Sequence, residues 1–213
     1  MRKLVICFMV IAALNAAASA DFVIGNWETS TDTWTSNGVL NYGATVGVTL
    51  DDYSAEVALS GWGTALKYQF GADSAKAQFM NHNTFSIDFS VAASEGLITE
   101  GYTHLQKVIM NNGSAGWQTV SGANPLITYY WWSTAGERTT TLTVDYSAYR
   151  EQITDVLLDG TGGGYIEIII ETQTGGGAPL EMYFDNAKLS DPIPEPATLT
   201  LLGLGLALLR KRS

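Results

Sequence analysis

Cysteine is all but missing from this chain of 213 residues: the single one, Cys7, lies within the first ten positions. The remainder of the chain has no disulfide and no thiolate metal ligand, so its stability must come from packing. Histidine is nearly as scarce. His82 and His104 have no paired nucleophile and no metal-ligand spacing around them, and they read as surface or strand residues. Spacing along the chain does not reveal a carboxylate pair of the glycosidase kind either. Basic residues are few, with 11 Lys and Arg against 21 Asp and Glu. Five of the 11 (Arg2, Lys3, Arg210, Lys211, Arg212) sit at the two ends, leaving six against 21 acidic residues between positions 21 and 196, a formal charge of −15. Such a surface argues against nucleic acid and anionic lipid as partners. It offers carboxylates to divalent cations, or simply keeps the protein soluble outside a cell. Apolar runs of full membrane-spanning length are absent too. The run from Ala197 to Leu209 has 13 residues, and at about 1.5 Å per residue it reaches about 20 Å, short of the roughly 30 Å hydrocarbon core.

The two ends are nonetheless organised. Arg2 and Lys3 precede an apolar run from Leu4 to Leu14, and Ala18-Ser19-Ala20 has the small-x-small pattern of a signal-peptidase site, which predicts a signal peptide over 1–20 and a mature start at Asp21. At the other end Pro194-Glu195-Pro196 stands before the short apolar run, and Arg210-Lys211-Arg212 comes after it. The basic cluster resists translocation and keeps the tail cytosolic under the positive-inside bias. Pro194 and Pro196 hold the preceding residues extended, as a protease requires. This arrangement resembles the PEP-CTERM sorting signal of Gram-negative bacteria. The resemblance implies processing by an exosortase, a transient inner-membrane anchor over 197–209, and delivery to the cell surface or the exopolysaccharide matrix. The organisation predicted is therefore 1–20 signal peptide, 21–190 folded domain, and 191–213 sorting segment.

Between these ends the apolar pattern has period two. Phe85, Ile87, Phe89 and Val91 share one face, as do Leu66, Tyr68 and Phe70, and Leu142, Val144 and Tyr146. Further strands are predicted over 39–50, 55–60, 102–110, 116–120, 126–133, 165–173 and 181–189, separated by turns such as Asn112-Gly113 and Gly162-Gly163-Gly164. Only the stretch from Ser147 to Leu158 has helical spacing, through Tyr149, Ile153, Val156 and Leu157. Many short strands, one short helix and no βαβ alternation predict an all-β fold, an antiparallel β-sandwich of jelly-roll type.

Two pieces of the domain resemble carbohydrate-binding and galactose-binding-like jelly-roll modules. They are the opening Asn26-Trp27-Glu28 with Asp32-Thr33-Trp34 and Asn37-Gly38, and the closing Met182-Tyr183-Phe184-Asp185-Asn186-Ala187-Lys188-Leu189. The resemblance implies that first and last strands pair and that Glu28 and Asp185, helped by Asp32 or Asp21, hold a structural calcium ion. The alternative is that Glu28 caps a turn and Asp185-Asn186 interrupts a bulged edge strand.

Aromatic residues are the candidates for ligand contact, because tryptophan and tyrosine rings stack on pyranose faces while nearby amides and carboxylates meet the hydroxyls. Trp62 and Trp117 sit beside glycines, and Trp131 and Trp132 are adjacent, so on one strand they point to opposite faces. Core packing is the competing role for each. The leading expectation is an exported, non-catalytic protein of the cell surface or matrix, whose sandwich binds polysaccharide. A structural or adhesive protein without a specific ligand is the second reading, and a glycan-active enzyme the third.

Overall fold

The computed structural model describes residues 21–58, 62–91, 101–122, 125–130, 138–156, 164–176 and 181–191. The strands are β1 (Phe22–Gly25), β2 (Thr35–Ser36), β3 (Val39–Ala44), β4 (Ser54–Ala58), β5 (Trp62–Phe70), β6 (Thr84–Val91), β7 (Tyr102–Asn112), β8 (Gly116–Thr119), β9 (Ile127–Tyr130), β10 (Arg138–Asp145), β11 (Ile166–Gly175) and β12 (Glu181–Ser190). Two helices, α1 (Asp73–Asn81) and α2 (Ser147–Arg150), complete the described elements.

The strands form two antiparallel sheets. Sheet A runs β10-β6-β12-β4-β3, with β1 also on β12, and sheet B runs β2-β5-β11-β7-β8, with β9 also on β7. The expected antiparallel sandwich holds, and the first and last strands pair, Phe22 opposite Leu189. The three apolar stripes read from period two all lie in the core, where Phe85, Ile87, Phe89, Val91, Leu66 and Phe70 are inaccessible to water. Each buried side chain of this size contributes roughly 1.5–3 kcal/mol, the main cohesive term in a domain without cross-links.

One aromatic file threads the core. Trp27, Trp34, Tyr68, Phe70, Phe79 and Tyr146 succeed one another with ring centroids 4.4–5.8 Å apart. Trp34 is tied into it by Nε1, which donates to the Ile24 carbonyl at 2.8 Å. The file ends where Tyr146 donates its hydroxyl to the Phe79 carbonyl at 3.0 Å. Trp27 and Trp34, at the opening segment, are therefore core residues.

Four expectations are corrected. Helix α1 carries the chain from sheet B to sheet A and has no signal in the sequence pattern, because Phe79 is its one large buried anchor and its polar residues leave no apolar stripe. Helix α2 has only four residues, Ser147–Arg150, shorter than the spacing of Tyr149, Ile153, Val156 and Leu157 predicts. The predicted strand 39–50 stops at Ala44, since Gly47 turns with φ +72° and the next amides bond to a side chain rather than to a ladder. His82 is no surface residue: it is buried at the end of α1, where its Nδ1 donates to the Gln78 carbonyl at 2.7 Å.

Candidate functional site

In β5, β7 and β11 the core-facing residues alternate with residues that face away from the sandwich. Antiparallel partners share a face, so the register lays out rows on the outer side of sheet B. One row is Trp117, Asn111, Glu167 and Gln69; the next is Thr119, Ile109, Ile169 and Lys67; a third joins Lys107 to Glu171. Ile109 and Ile169 are covered by their neighbours and make a dry floor. Around it the polar groups are locked to one another.

Glu167 is the centre of that lock. Its Oε1 receives Lys67 Nζ at 3.3 Å, and its Oε2 receives Asn111 Nδ2 at 2.8 Å. Asn111 Oδ1 in turn accepts the Tyr165 hydroxyl at 3.4 Å. The ion pair is partly open to water and contributes at most about 1 kcal/mol to stability; its effect is to fix Glu167 in place. Trp117 and Tyr165, 57 % and 41 % exposed, stand on either side of Asn111. Two exposed aromatic rings thus adjoin Asn111, at one end of a linked set of amide, carboxylate and ammonium groups.

The far end of the face is also polar. Lys107 and Glu171 pair at 3.0 Å. Gln106 Nε2 donates to Gln173 Oε1, and Gln173 Nε2 donates to the Tyr102 hydroxyl at 3.0 Å. His104 lies against the Tyr102 ring, centroids 4.2 Å apart, with Nδ1 bonded to Thr128 Oγ1 at 2.8 Å. Burial pulls the His104 imidazole below its ordinary value, favouring the neutral ring.

Of the four tryptophans picked out from sequence, Trp117 reaches this face. Trp62 contributes backbone to β5 opposite Gln173, and its side chain lies outside what is described. Trp131 and Trp132 lie outside the described residues, as do Ala18, Ala20, Pro194, Glu195, Pro196, Arg210, Lys211, Arg212 and the 197–209 run. Tyr165, Asn111 and Glu167 were missed. The signal available for them was the pair Glu167 and Glu171, four apart on one face of an otherwise isoleucine-rich strand.

Glu28, in the loop after β1, and Asp185, in β12 of sheet A, serve backbone amides. Glu28 Oε1 accepts Asp52 N at 3.0 Å and Tyr53 N at 2.8 Å. Asp185 Oδ2 accepts Thr49 N at 2.6 Å and Leu50 N at 2.7 Å, and its Oδ1 accepts Asn186 N at 2.7 Å. Burial pushes the Asp185 carboxyl up from its ordinary value while these amides pull it back. Asn186, at φ +52°, forms a bulge there, but β12 is an interior strand, with β6 on one side and β4 and β1 on the other. Asp32 is engaged with the amides of Asn26 and Trp27, both at 2.9 Å, and Asp21 with Lys188 at 2.8 Å. Among the described residues no three His, Cys, Asp or Glu side chains come together as a metal set. What is turned toward the two carboxylates is a set of backbone N–H groups, the polarity suited to an anion.

A separate recess of about 520 Å³ opens beside β1, lined by Ile24, Gly25, Asn26, Asp32, Thr33 and Tyr68 among others. Its carboxylate, Asp32, is spent on the turn that walls it, bonding to the Asn26 and Trp27 amides and the Ser30 hydroxyl.

Comparison with known families is decisive for one segment, where residues 192–213 match the PEP-CTERM protein-sorting motif. The C-terminal segment is a PEP-CTERM sorting signal. This signal marks the protein for export and for exosortase sorting to the cell surface. Curated protein sequences give no match. Solved structures similar to the chain are carbohydrate-binding modules of jelly-roll fold. One, described for specific mannan recognition, has a TM-score of 0.47 at 8% identity, over 83% of this chain and 98% of its own. A xylan-binding domain from Paenibacillus barcinonensis has a TM-score of 0.45 at 11% identity, over 83% and 100%. A family 11 module of a cellulosomal cellulase of Clostridium thermocellum has a TM-score of 0.44 at 13% identity, over 84% and 99%.

Proposed function

We propose that the exported domain is a non-catalytic polysaccharide-binding module of the cell surface or exopolysaccharide matrix, and that the outer face of sheet B is its contact surface. The observation that carries this reading is the pair of exposed rings, Trp117 opposite Asn111 in the register and Tyr165 bonded to it, next to the linked Asn111, Glu167 and Lys67 side chains. A pyranose ring resting there meets π faces at its apolar C–H sides, and its hydroxyls meet the Asn111 amide and the Lys67 ammonium, both held by the buried Glu167 carboxylate. Because these side chains already hold one another, little rotamer entropy is lost when a sugar arrives. Glu167 is buried with both oxygens engaged in that lock, which suits a residue that orients Asn111 and Lys67 better than a nucleophile or a proton donor.

The test is retention of the purified protein on a panel of immobilised polysaccharides that includes mannan, xylan and cellulose. Retention on at least one polymer is expected, without release of soluble sugars, and with loss of retention in the Trp117→Ala, Tyr165→Ala double variant. Absence of retention across the panel favours the purely structural or adhesive role. Release of sugars that stops when one carboxylate is replaced favours an enzyme.

A further inference from the structure

Residues 45–53, between β3 and β4, cross the outer face of sheet A as a strap. Gly47 seats the strap against the sheet so closely that a Cβ there would lie 2.7 Å from Tyr183 Cβ and 2.8 Å from Ser90 Cβ. Beyond it, the Thr49 and Leu50 amides converge on Asp185 Oδ2, and the Asp52 and Tyr53 amides converge on Glu28 Oε1. Thr49 Oγ1 donates to Asp88 Oδ2 at 2.6 Å and lies 3.2 Å from Asp185 Oδ2. Asn186 Nδ2 reaches Asp88 Oδ2 at 3.1 Å, and Thr141 Oγ1 donates to Asp88 Oδ1 at 2.5 Å. Asp88 and Asp185 are both buried.

Pairs of adjacent amides closing on one anionic oxygen form a nest, the arrangement by which backbone holds an anion. A calcium ion asks for the opposite polarity: six to eight oxygens at about 2.3–2.6 Å, loop carbonyls among them. A cation placed against Glu28 Oε1 or Asp185 Oδ2 would displace two hydrogen bonds at each and face the positive ends of four N–H dipoles.

We propose that the strap is a metal-independent latch, in which the amides of Thr49, Leu50, Asp52 and Tyr53 occupy the positions on Asp185 and Glu28 that a calcium ion would need. The latch ties the first loop of the domain, through Glu28, and the last strand, through Asp185, to one segment. The strap then stays seated on sheet A in surroundings where divalent cations are scarce.

Amide hydrogen exchange of the full chain, monitored by NMR in millimolar EDTA and in millimolar calcium chloride, reads the latch residue by residue. The expected result is that the amides of Thr49, Leu50, Asp52 and Tyr53 are equally protected in both. Glu28→Ala should then speed exchange at Asp52 and Tyr53 by roughly tenfold or more, with or without calcium. If the four amides exchange freely in EDTA and become protected only when calcium is added, the proposal is overturned. Calcium-dependent protection that Glu28→Ala abolishes overturns it equally.

Discussion

Trp117 leaves more than half of its surface in water, so it contributes little to the packed core and is accessible to the proposed ligand. Trp117→Ala should therefore leave the melting temperature nearly unchanged while weakening polysaccharide binding by about 2 kcal/mol, roughly thirtyfold, the loss typical of a ring at the centre of a contact. Isothermal titration with the retained polymer, beside a calorimetric melt, separates the two effects. His104 has a different signature. Its imidazole titrates below the ordinary value of 6.5 because burial disfavours the charged ring. The unfolded chain thus binds a proton more readily than the folded one, so stability is complete above pH 6.5 and declines as pH falls through 6.5 toward the lower folded value. In urea melts across that range, His104→Gln should flatten this part of the profile; an unchanged slope would mean that His104 is not its source.

At the level of elements, the clearest case is the segment after β3. Val46, Val48 and Leu50 alternate as a strand would, which is why sequence extends β3 through residue 50, yet the structure ends the strand at Ala44. The cause lies 136 residues away, in the carboxylate of Asp185 that captures the Thr49 amide, and no local pattern can show it. Gly47→Ala should be costly here, by about 1–3 kcal/mol in a denaturation curve, because the added carbon meets Tyr183 and Ser90 and the residue must hold φ +72°. The core stripes of β5, β6 and β10 were legible because each is a period-two pattern whose apolar side faces the other sheet. Helix α1 was not, since its place depends on the route from sheet B to sheet A rather than on its own residues. The candidate site was legible only at Trp117. Asn111 and Glu167 become neighbours through the β7–β11 register, and Tyr165 comes after a glycine run that reads as a loop.

For the whole molecule, the sorting signal and the acidic domain are consistent with one itinerary. The PEP-CTERM segment marks the chain for export, and the charge of the rest favours solubility beyond the membrane and disfavours anionic lipid. Mass spectrometry of the protein from its host should find a mature N-terminus at Asp21 and a C-terminus near Pro194 to Pro196. A chain ending at Ser213 in a host that has the exosortase would contradict the itinerary. The outer sides of the two sheets also differ, and the proposed binding face is on sheet B. On sheet A the strap covers the outer side at Tyr183, Asp185 and Ser90, while on sheet B the rings of Trp117 and Tyr165 are exposed.

The sharpest test of that proposed face is to titrate the protein with an oligosaccharide of the retained polymer and map the amide and side-chain NMR shifts onto the fold. Saturable changes are expected at Trp117, Tyr165, Asn111, Glu167 and Lys67, with the strap residues Thr49 to Tyr53 unmoved. Saturable changes confined to the strap side of sheet A, or to the recess beside Tyr68, would place the ligand elsewhere and refute the assignment of sheet B as the binding face.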